Sequence, residues 1–225
     1  ELNGIVNEGV TMQSYGDARY ILNTSDRDPD HPNNVILTYT NQSVDGTWDM
    51  GATWNREHVW PRSLLGVSVG NGSRHEGADL HNLKPTSPSE NSSRGNKYFD
   101  DFMSSSSYEP PENVKGDIAR ILFYMVVMYD HLELVSRTPG TYEMAMFDVL
   151  LEWHVDDPVD DFERNRNDVI ADYQNNRNPF IDHPELVEKI WGTDATDSNS
   201  FVTSPNAAGV TVLAVVDGPK KRLYA

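Results

Sequence analysis

The chain contains no cysteine and few basic residues for its length. Its 225 residues include no Cys, and only 18 Lys and Arg against 35 Asp and Glu. Without cysteine, neither a disulfide nor a thiolate-bound metal stabilises the fold. No hydrophobic run approaches the roughly 18 residues that a membrane-spanning helix requires. We therefore expect no membrane partner, and the length suits one domain with a substantial core.

The shortage of positive charge is uneven along the chain. A net charge of −17 argues at first against a nucleic-acid partner, because phosphates select basic surfaces. Residues 51–100, however, carry six basic and five acidic side chains, whereas the rest of the chain carries 12 basic and 30 acidic ones. The acidity therefore lies almost entirely outside this segment, which stays compatible with a polyanionic substrate.

Residue patterns predict two strands in the first quarter of the chain. Val35–Thr40 is β-branched and aromatic, which is typical of a strand. Asp45–Gly46 predicts a turn after it. A second strand is expected to approach Trp54.

Helices and a domain boundary are predicted further along. Apolar residues spaced by three and four between Gly116 and Val135 indicate a largely buried helix. Another helix is predicted to start at Asp157–Pro158 and to end at Asn175–Asn176. We expect one domain over residues 1–195, followed at 196–225 by a tail or extra strand to which no role is assigned.

The residues with catalytic chemistry lie in three motifs. These are WNREHVWPRS at 54–63, DLHNLKP at 79–85 and NSSRGN at 91–96. Hydrolysis of a phosphodiester requires a base that deprotonates water, a divalent cation at the leaving oxygen, and cationic groups that bind phosphate. All three types of group occur in these motifs.

His58 is the candidate general base, since an imidazole with the ordinary pKa of about 6.5 is mostly neutral at pH 7. Mg²⁺ prefers oxygen ligands and keeps several waters, so Glu57 and Asn91 would be a sufficient protein contribution. Pro88 predicts a helix start near Asn91. Arg94, three residues further on, is the candidate phosphate clamp on the same helix.

The adjacency of Glu57 and His58 places a condition on this hypothesis. Neighbouring residues of a regular strand point to opposite faces, so the two side chains serve one site only where the backbone departs from strand geometry. Pro61 favours a strand end close by.

Structural roles compete with each catalytic role. A lone histidine such as His58 more often makes a hydrogen bond in the fold than a catalytic contact. Taken alone, Asn91 is typical of a helix cap and Arg94 of an exposed ion pair. Asp79 and His81 are typical of residues that fix a turn.

Two other functions remain open from the residues alone. Imidazole is a favoured zinc ligand, so His58 with His75 or His81 would suit a zinc hydrolase, although the HExxH spacing of many zinc enzymes is absent from the sequence. The net charge of −17 and the Val- and Ser-rich end would suit an acidic, non-enzymatic binding module.

At these motifs the sequence resembles the bacterial endonuclease I family of periplasmic and extracellular nucleases, which belong to the ββα-metal, or His-Me finger, superfamily. The resemblance rests on the three motifs and on QNNRNPFIDHPE at 174–185, and extends roughly from Tyr20 to Trp191. Several motifs in the correct order are far more specific than one histidine. The resemblance implies an α+β fold, with a mainly helical body around a ββα-metal core that holds one metal ion.

The resemblance also implies roles for individual residues. His58 corresponds to the general base, and Glu57 and Asn91 to ligands of Mg²⁺, with Mn²⁺ or Ca²⁺ as substitutes. Asn96 is the alternative to Asn91. Arg74 is the match for a family arginine that contacts the scissile phosphate. The chain departs from some relatives in lacking a longer, disulfide-containing insertion between the histidine and the DLHNL motif.

The implied activity is that of a sequence-nonspecific, Mg²⁺-dependent endonuclease. It would hydrolyse DNA, with RNA as a second candidate substrate, through metal-assisted attack of a His-activated water that leaves 5′-phosphate ends. No recognition helix or finger repeat for base reading occurs in the sequence, and backbone binding carries no sequence information. We expect a monomer that is secreted, either extracellular or periplasmic.

Overall fold

Short strands are distributed among longer helices in this protein. The computed structural model describes residues 1–192 in full and, beyond them, the backbone of strands at 202–205, 211–217 and 220–223. The helices are α1 (Leu2–Asn7), α2 (Tyr15–Ser25), α3 (Arg62–Leu65), α4 (Pro88–Arg94), α5 (Lys115–Met128), α6 (Phe147–Asp156), α7 (Asp161–Gln174), α8 (Pro179–Asp182) and α9 (Leu186–Trp191). The strands are β1 (Asn34–Ile36), β2 (Ser43–Asp45), β3 (Asn55–His58), β4 (Leu83–Thr86), β5 (Tyr98–Phe99), β6 (Ser107–Tyr108), β7 (Glu133–Leu134), β8 (Glu143–Met144), β9 (Val202–Pro205), β10 (Thr211–Asp217) and β11 (Lys220–Leu223). This mixture confirms the α+β class.

The chain divides into two compact units, Glu1–Pro184 and Glu185–Ala225. The second unit contains α9 and an antiparallel sheet in the order β11–β10–β9. The boundary expected at residue 195 falls outside the described residues, so the single domain over 1–195 stays a prediction. Of the predicted tail or extra strand at 196–225, only β9 to β11 are described. Among the helices that the structure describes, none has the length and apolarity needed to cross a bilayer.

The predicted strand Val35–Thr40 forms only in its first part. β1 pairs antiparallel with β2, but from Leu37 onwards the chain turns. Asn41 has a left-handed φ of 54°, and its backbone N donates to Leu37 O at 2.8 Å. The predicted strand was therefore too long. Where a turn was predicted at Asp45–Gly46, Asp45 is instead the last residue of β2, and its carboxylate accepts from Thr47 N at 2.8 Å just beyond the strand.

The helix predicted between Gly116 and Val135 is confirmed as α5, but it ends at Met128. Its last carbonyl groups accept hydrogen bonds from side chains of the first helix of the chain. Asn3 Nδ2 donates to Val127 O at 2.8 Å and to Met128 O at 3.2 Å, and Asn7 Nδ2 donates to Met128 O at 3.1 Å. The end of α5 is thus capped by residues more than 100 positions away.

The helix predicted from Asp157–Pro158 begins later, at Asp161. The Asp160 carboxylate caps it by accepting from Glu163 N at 2.8 Å. Asp157 instead ends α6, a helix that the sequence patterns did not predict and that begins without a side-chain cap. The predicted end of α7 is confirmed, because Asn175 adopts a left-handed conformation there.

A buried core supports the strand pair that carries the motifs. It is built by residues of α2, β1, β4 and α7 and by neighbouring loop residues: Ala18, Ile21, Leu22, Val35, Leu37, Trp54, Leu80, Leu83 and Ile170. Trp54 and Leu83 flank or lie in the strands that hold the candidate site. Burial of such side chains contributes about 1.5–3 kcal/mol each, so the strand pair rests on a rigid base.

Candidate active site

Three elements place the predicted site residues side by side. β3 pairs antiparallel with β4, and Glu57 and His58 are the last two residues of β3. Helix α4 follows β4, with Ser87 as its cap and Pro88 in its first turn. The helix predicted near Asn91 is therefore confirmed. We refer to β3, β4 and α4 as the strand–strand–helix unit.

Asn82 of the DLHNLKP motif holds the chain that leaves β3. Its backbone O accepts from Val59 N at 3.0 Å, and its Oδ1 accepts from Trp60 N at 2.7 Å. Its Nδ2 donates to Trp60 O at 3.2 Å. Backbone pairing between β3 and β4 thus ends just after His58, and the side chain of Asn82 holds the chain from there to Pro61.

A cleft of about 300 Å³ adjoins the strand–strand–helix unit. Its lining includes Glu57, His58 and Asn91, together with Asn96, the alternative to Asn91. The structure therefore brings the predicted base and both predicted metal ligands to one opening. Their catalytic roles stay predictions.

The His58 ring is buried and held on two sides. Its Nε2 lies 2.8 Å from Gly77 O, and its ring stacks on Tyr15 with centroids 5.2 Å apart. A carbonyl only accepts, so Nε2 carries the proton in the neutral ring and Nδ1 carries the lone pair. Burial lowers the pKa of His58 to about 4, opposed by the Gly77 hydrogen bond. The ring is thus held neutral, with Nδ1 as its proton-accepting atom.

Glu57 is 2% exposed and has its carboxylate fixed through one oxygen. Oε1 accepts from Tyr39 Oη at 2.7 Å and from Arg94 Nη1 at 2.7 Å. Oε2 has no side-chain hydrogen bond within residues 1–192. Burial raises the pKa of Glu57, and the ion pair with Arg94 and the Tyr39 hydroxyl oppose that rise.

Arg94 does not line the cleft. It has no exposed surface, and its guanidinium donates to Glu57, to His58 O at 2.7 Å and to Val59 O at 2.6 Å. The group also lies over the Phe99 ring, 4.5 Å from its centroid. The exposed ion pair considered as its structural alternative is likewise absent. In this position Arg94 holds Glu57 and the end of β3 in place rather than presenting its charge to a phosphate.

Asn91 faces β3 from helix α4. Its Nδ2 donates to Asn55 Oδ1 at 2.6 Å and to Arg56 O at 3.5 Å. These bonds leave Oδ1 without a hydrogen-bond partner among the described residues. Glu57 Oε2 and Asn91 Oδ1 are hard oxygen donors, which is the type that Mg²⁺ requires, so the residues at the cleft fit the predicted ion in chemistry.

Arg74 also lies away from the cleft lining. Its side chain is 55% exposed, donates to Met12 O at 2.9 Å and lies 3.8 Å from Asp17. The arginines that line the cleft are Arg56 and Arg62. Neither was proposed from the sequence, although both flank His58 within the motif at 54–63, and that proximity is a signal by which they could have been found.

Asp79 and His81 take the structural role considered for them. Asp79 Oδ1 accepts from His81 N at 2.9 Å, which closes the turn before β4. Its Oδ2 accepts from the hydroxyls of Tyr124 and Tyr129 at 2.9 and 2.7 Å. His81 is fully buried, with its ring centroid 4.4 Å from that of Tyr124.

The zinc hypothesis receives no support from side-chain positions. Within the part of the chain that the structure describes, no group of three or more His, Cys, Asp or Glu side chains is placed to hold a metal. Each of the three histidine rings contacts the protein backbone instead. The His58 ring lies against Gly77 O, the His75 ring accepts from Gly77 N, and the His81 ring lies near Asn176 O.

An α+β fold with an imidazole, two oxygen donors and arginines at one cleft defines a candidate hydrolase of anionic substrates. The family model described as Endonuclease I matches residues 1–108 and 98–185. The chain is 44% identical over 208 residues to the extracellular ribonuclease of Bacillus subtilis strain 168, covering 81% of this chain and 70% of that protein. It is 42% identical over 207 residues to the extracellular ribonuclease of Bacillus amyloliquefaciens, with the same coverage.

The chain belongs to the Endonuclease I family. Membership confirms the resemblance inferred from the motifs and supports nuclease activity. The alternative of a non-enzymatic acidic module is therefore set aside. The names of both relatives place them outside the cell, in agreement with the predicted secretion.

Proposed function

We propose that the protein is a secreted, Mg²⁺-dependent endonuclease that hydrolyses DNA and RNA without sequence preference and leaves 5′-phosphate ends. One observation carries the proposal: the His58 ring, which donates from Nε2 to the buried Gly77 O, lines the same cleft as Glu57 and Asn91. This bond leaves Nδ1 to take a proton from the attacking water. RNA is included because both relatives are named ribonucleases.

The strand–strand–helix unit is proposed to be the ββα-metal core of the resemblance. Glu57 Oε2 and Asn91 Oδ1 would hold the ion, with water in its remaining positions. When bound, Mg²⁺ supplies positive charge that stabilises the leaving 3′-oxygen. Arg94 is a positioning residue for Glu57, because it holds the other carboxylate oxygen at 2.7 Å.

We assign the phosphate contact to Arg62 and Arg56 instead of Arg74 and Arg94. Arg62 is exposed, lines the cleft and has no ion pair within the described residues. Contacts of this kind bind the nucleic-acid backbone and carry no sequence information, which favours nonspecific cleavage. A monomeric state stays part of the proposal, and light scattering of the purified protein tests it.

The proposed base is tested with His58→Ala on plasmid DNA and on single-stranded RNA in Mg²⁺. Loss of the base is expected to slow cleavage about 10²- to 10⁴-fold, and EDTA should abolish cleavage by the wild type. His31→Ala is the matched control, because His31 is 68% exposed and pairs with Asp28 outside the cleft. Circular dichroism confirms that each variant is folded, and His58→Asn provides a polar replacement if the Ala variant unfolds.

Undiminished cleavage by a folded His58 variant would refute the assigned base. Products should carry 5′-phosphate ends, which end-labelling after phosphatase treatment detects. Products with 3′-phosphate ends would refute the proposed leaving group while leaving nuclease activity intact.

A further inference from the structure

A row of aromatic and arginine side chains extends from the cleft along helix α2. We call it the aromatic–arginine stripe and define it by Tyr15, Arg56, Trp48, Arg19 and Tyr20. Tyr15 and Arg19 are four residues apart in α2, so they project from the same face of the helix. Tyr15, Trp48 and Arg56 also line the cleft, which joins the stripe to the candidate active site.

The stripe begins at the proposed base. The Tyr15 ring stacks on His58 with an interplanar angle of 26°. On Tyr15 lies the Arg56 guanidinium, with its carbon 3.6 Å from the ring centroid, and the same carbon is 5.2 Å from the Trp48 centroid. The side chains therefore form a continuous series of flat contacts from His58 to Trp48.

The stripe continues from Trp48 to the surface. The Arg19 guanidinium carbon lies 5.7 Å from the Trp48 centroid and 4.9 Å from the Tyr20 centroid. Tyr20 is 59% exposed although its ring contacts Arg19. An aromatic side chain is thus presented to solvent at the outer end of the stripe.

The arginines of the stripe have no acidic partner among the described residues. Neither Arg19 nor Arg56 forms an ion pair there, although Arg56 Nη1 donates to Tyr15 O, and the Nε atoms of both are buried without a hydrogen-bond partner. Such arginines are unexpected in a chain with 35 acidic residues and a net charge of −17. Their position beside a candidate phosphodiesterase cleft matches the charge of a nucleic-acid backbone.

We propose that the aromatic–arginine stripe binds the unpaired nucleobases of a single-stranded segment next to the scissile phosphate. The inference rests on the proposed function, since it places the substrate in the same cleft. Exposed aromatic rings stack on bases of any identity, and arginines add contacts to both the bases and the phosphates. In a duplex the base faces are covered by neighbouring bases, so the stripe adds affinity for unpaired segments that a duplex does not gain.

The test measures binding without cleavage in a His58→Ala background with Mg²⁺. Fluorescence anisotropy gives Kd for a short single-stranded oligonucleotide, for an abasic strand of equal length and charge, and for a duplex. Tyr20→Ala is expected to weaken binding of the base-bearing strand at least about fivefold and to leave the abasic strand and the duplex unchanged. Tyr20→Phe, which keeps the ring, should retain the affinity.

Phe102→Ala is the matched control, because Phe102 is an aromatic residue with a similar exposure of 51% outside the stripe. Equal losses for base-bearing and abasic strands, or no loss for Tyr20→Ala relative to Phe102→Ala, would overturn the proposal. The proposed function fails separately: protein with intact His58 that binds the oligonucleotide through Tyr20 but does not cut it would refute the enzyme and leave the stripe standing.

Discussion

The cleft beside His58 and a second cleft beside Trp153 differ more in chemistry than in size. They measure about 300 Å³ and about 450 Å³. The first is lined by two arginines, Arg56 and Arg62, by one carboxylate, Glu57, and otherwise by groups that carry no formal charge at pH 7. The second, which we call the acidic cleft, is lined by Asp101, Glu112, Asn113, Lys115, Glu152, Trp153, Asp156 and Asp157.

This difference shows that local charge, rather than volume or net charge, identifies the candidate site. Volume alone selects the acidic cleft, which repels a polyanion. The cleft beside His58 attracts one, although the whole chain carries −17. Because acidic surfaces elsewhere repel a nucleic acid, the cleft beside His58 is the more favourable place for it to bind. Matched changes in the two clefts therefore test the comparison directly.

The largest expected difference concerns the cations beside the two clefts. Arg94→Met leaves the buried Glu57 carboxylate without its partner and should lower the free energy of unfolding by about 3–5 kcal/mol. Lys115→Met should cost only about 1 kcal/mol, because its nearest partner, Glu112, is 84% exposed. Urea denaturation measures both. Equal losses in the two variants would show that the Arg94–Glu57 ion pair is not held as proposed. Arg94→Lys keeps the charge, so its loss of unfolding free energy should lie between those of the two Met variants.

Acid sensitivity is expected to arise at buried histidines rather than in the acidic cleft. Burial lowers the pKa of His81 to about 4, with Asp79 opposing and Arg166 adding to the effect. The unfolded chain therefore binds the proton first, and stability falls by about 3 kcal/mol as the pH drops from 6.5 towards 4. His81→Phe keeps the packing on Tyr124 and should make this dependence less steep in urea titrations at a series of pH values, while His58, whose pKa burial also lowers to about 4, keeps its own contribution.

The acidic cleft supplies the control for the pH experiment. Glu112→Gln should keep the pH dependence of the wild type between pH 6.5 and 4. A dependence that disappears in Glu112→Gln and is undiminished in His81→Phe would assign the acid sensitivity to the acidic cleft instead.

Carboxylates in the two clefts should differ in their effect on activity. Glu57→Gln keeps the size of the side chain but removes the charge proposed to bind Mg²⁺. We expect at least about a 100-fold loss of activity, the upper end of the effect found for groups that merely orient metal ligands. Glu112→Gln should retain full activity. Calorimetric titration with Mn²⁺ separates the cause: unchanged affinity in Glu57→Gln would show that this residue is not a ligand.

The sequence predicted the residues of the strand–strand–helix unit well because they lie in recognisable motifs. Glu57, His58 and Asn91 lie within 35 positions, and Ser87 and Pro88 mark the start of α4 by local chemistry. Such features depend on neighbouring residues, which a sequence motif records directly.

The contacts that residues outside the motifs make with the site were not predictable in the same way. Tyr39 reaches Glu57 from 18 positions away, and Gly77 reaches His58 from 19. Neither residue belongs to a periodic pattern that points to the site. Arg94 was expected to face the substrate, but packing against Phe99 buries it, and burial of this kind depends on the tertiary structure rather than on the motif.

The smallest expected effect separates local charge from net charge. Arg62→Gln and Asp156→Asn change the charge by one unit in opposite senses, the first in the cleft beside His58 and the second in the acidic cleft. If local charge governs binding, only Arg62→Gln weakens it, a few-fold at low salt. The slope of log Kd against log salt should then fall by about 0.7–0.9, the value for one lost phosphate contact. If net charge governs binding, Asp156→Asn should strengthen it as much as Arg62→Gln weakens it, and the distinction between the two clefts would lose its functional meaning.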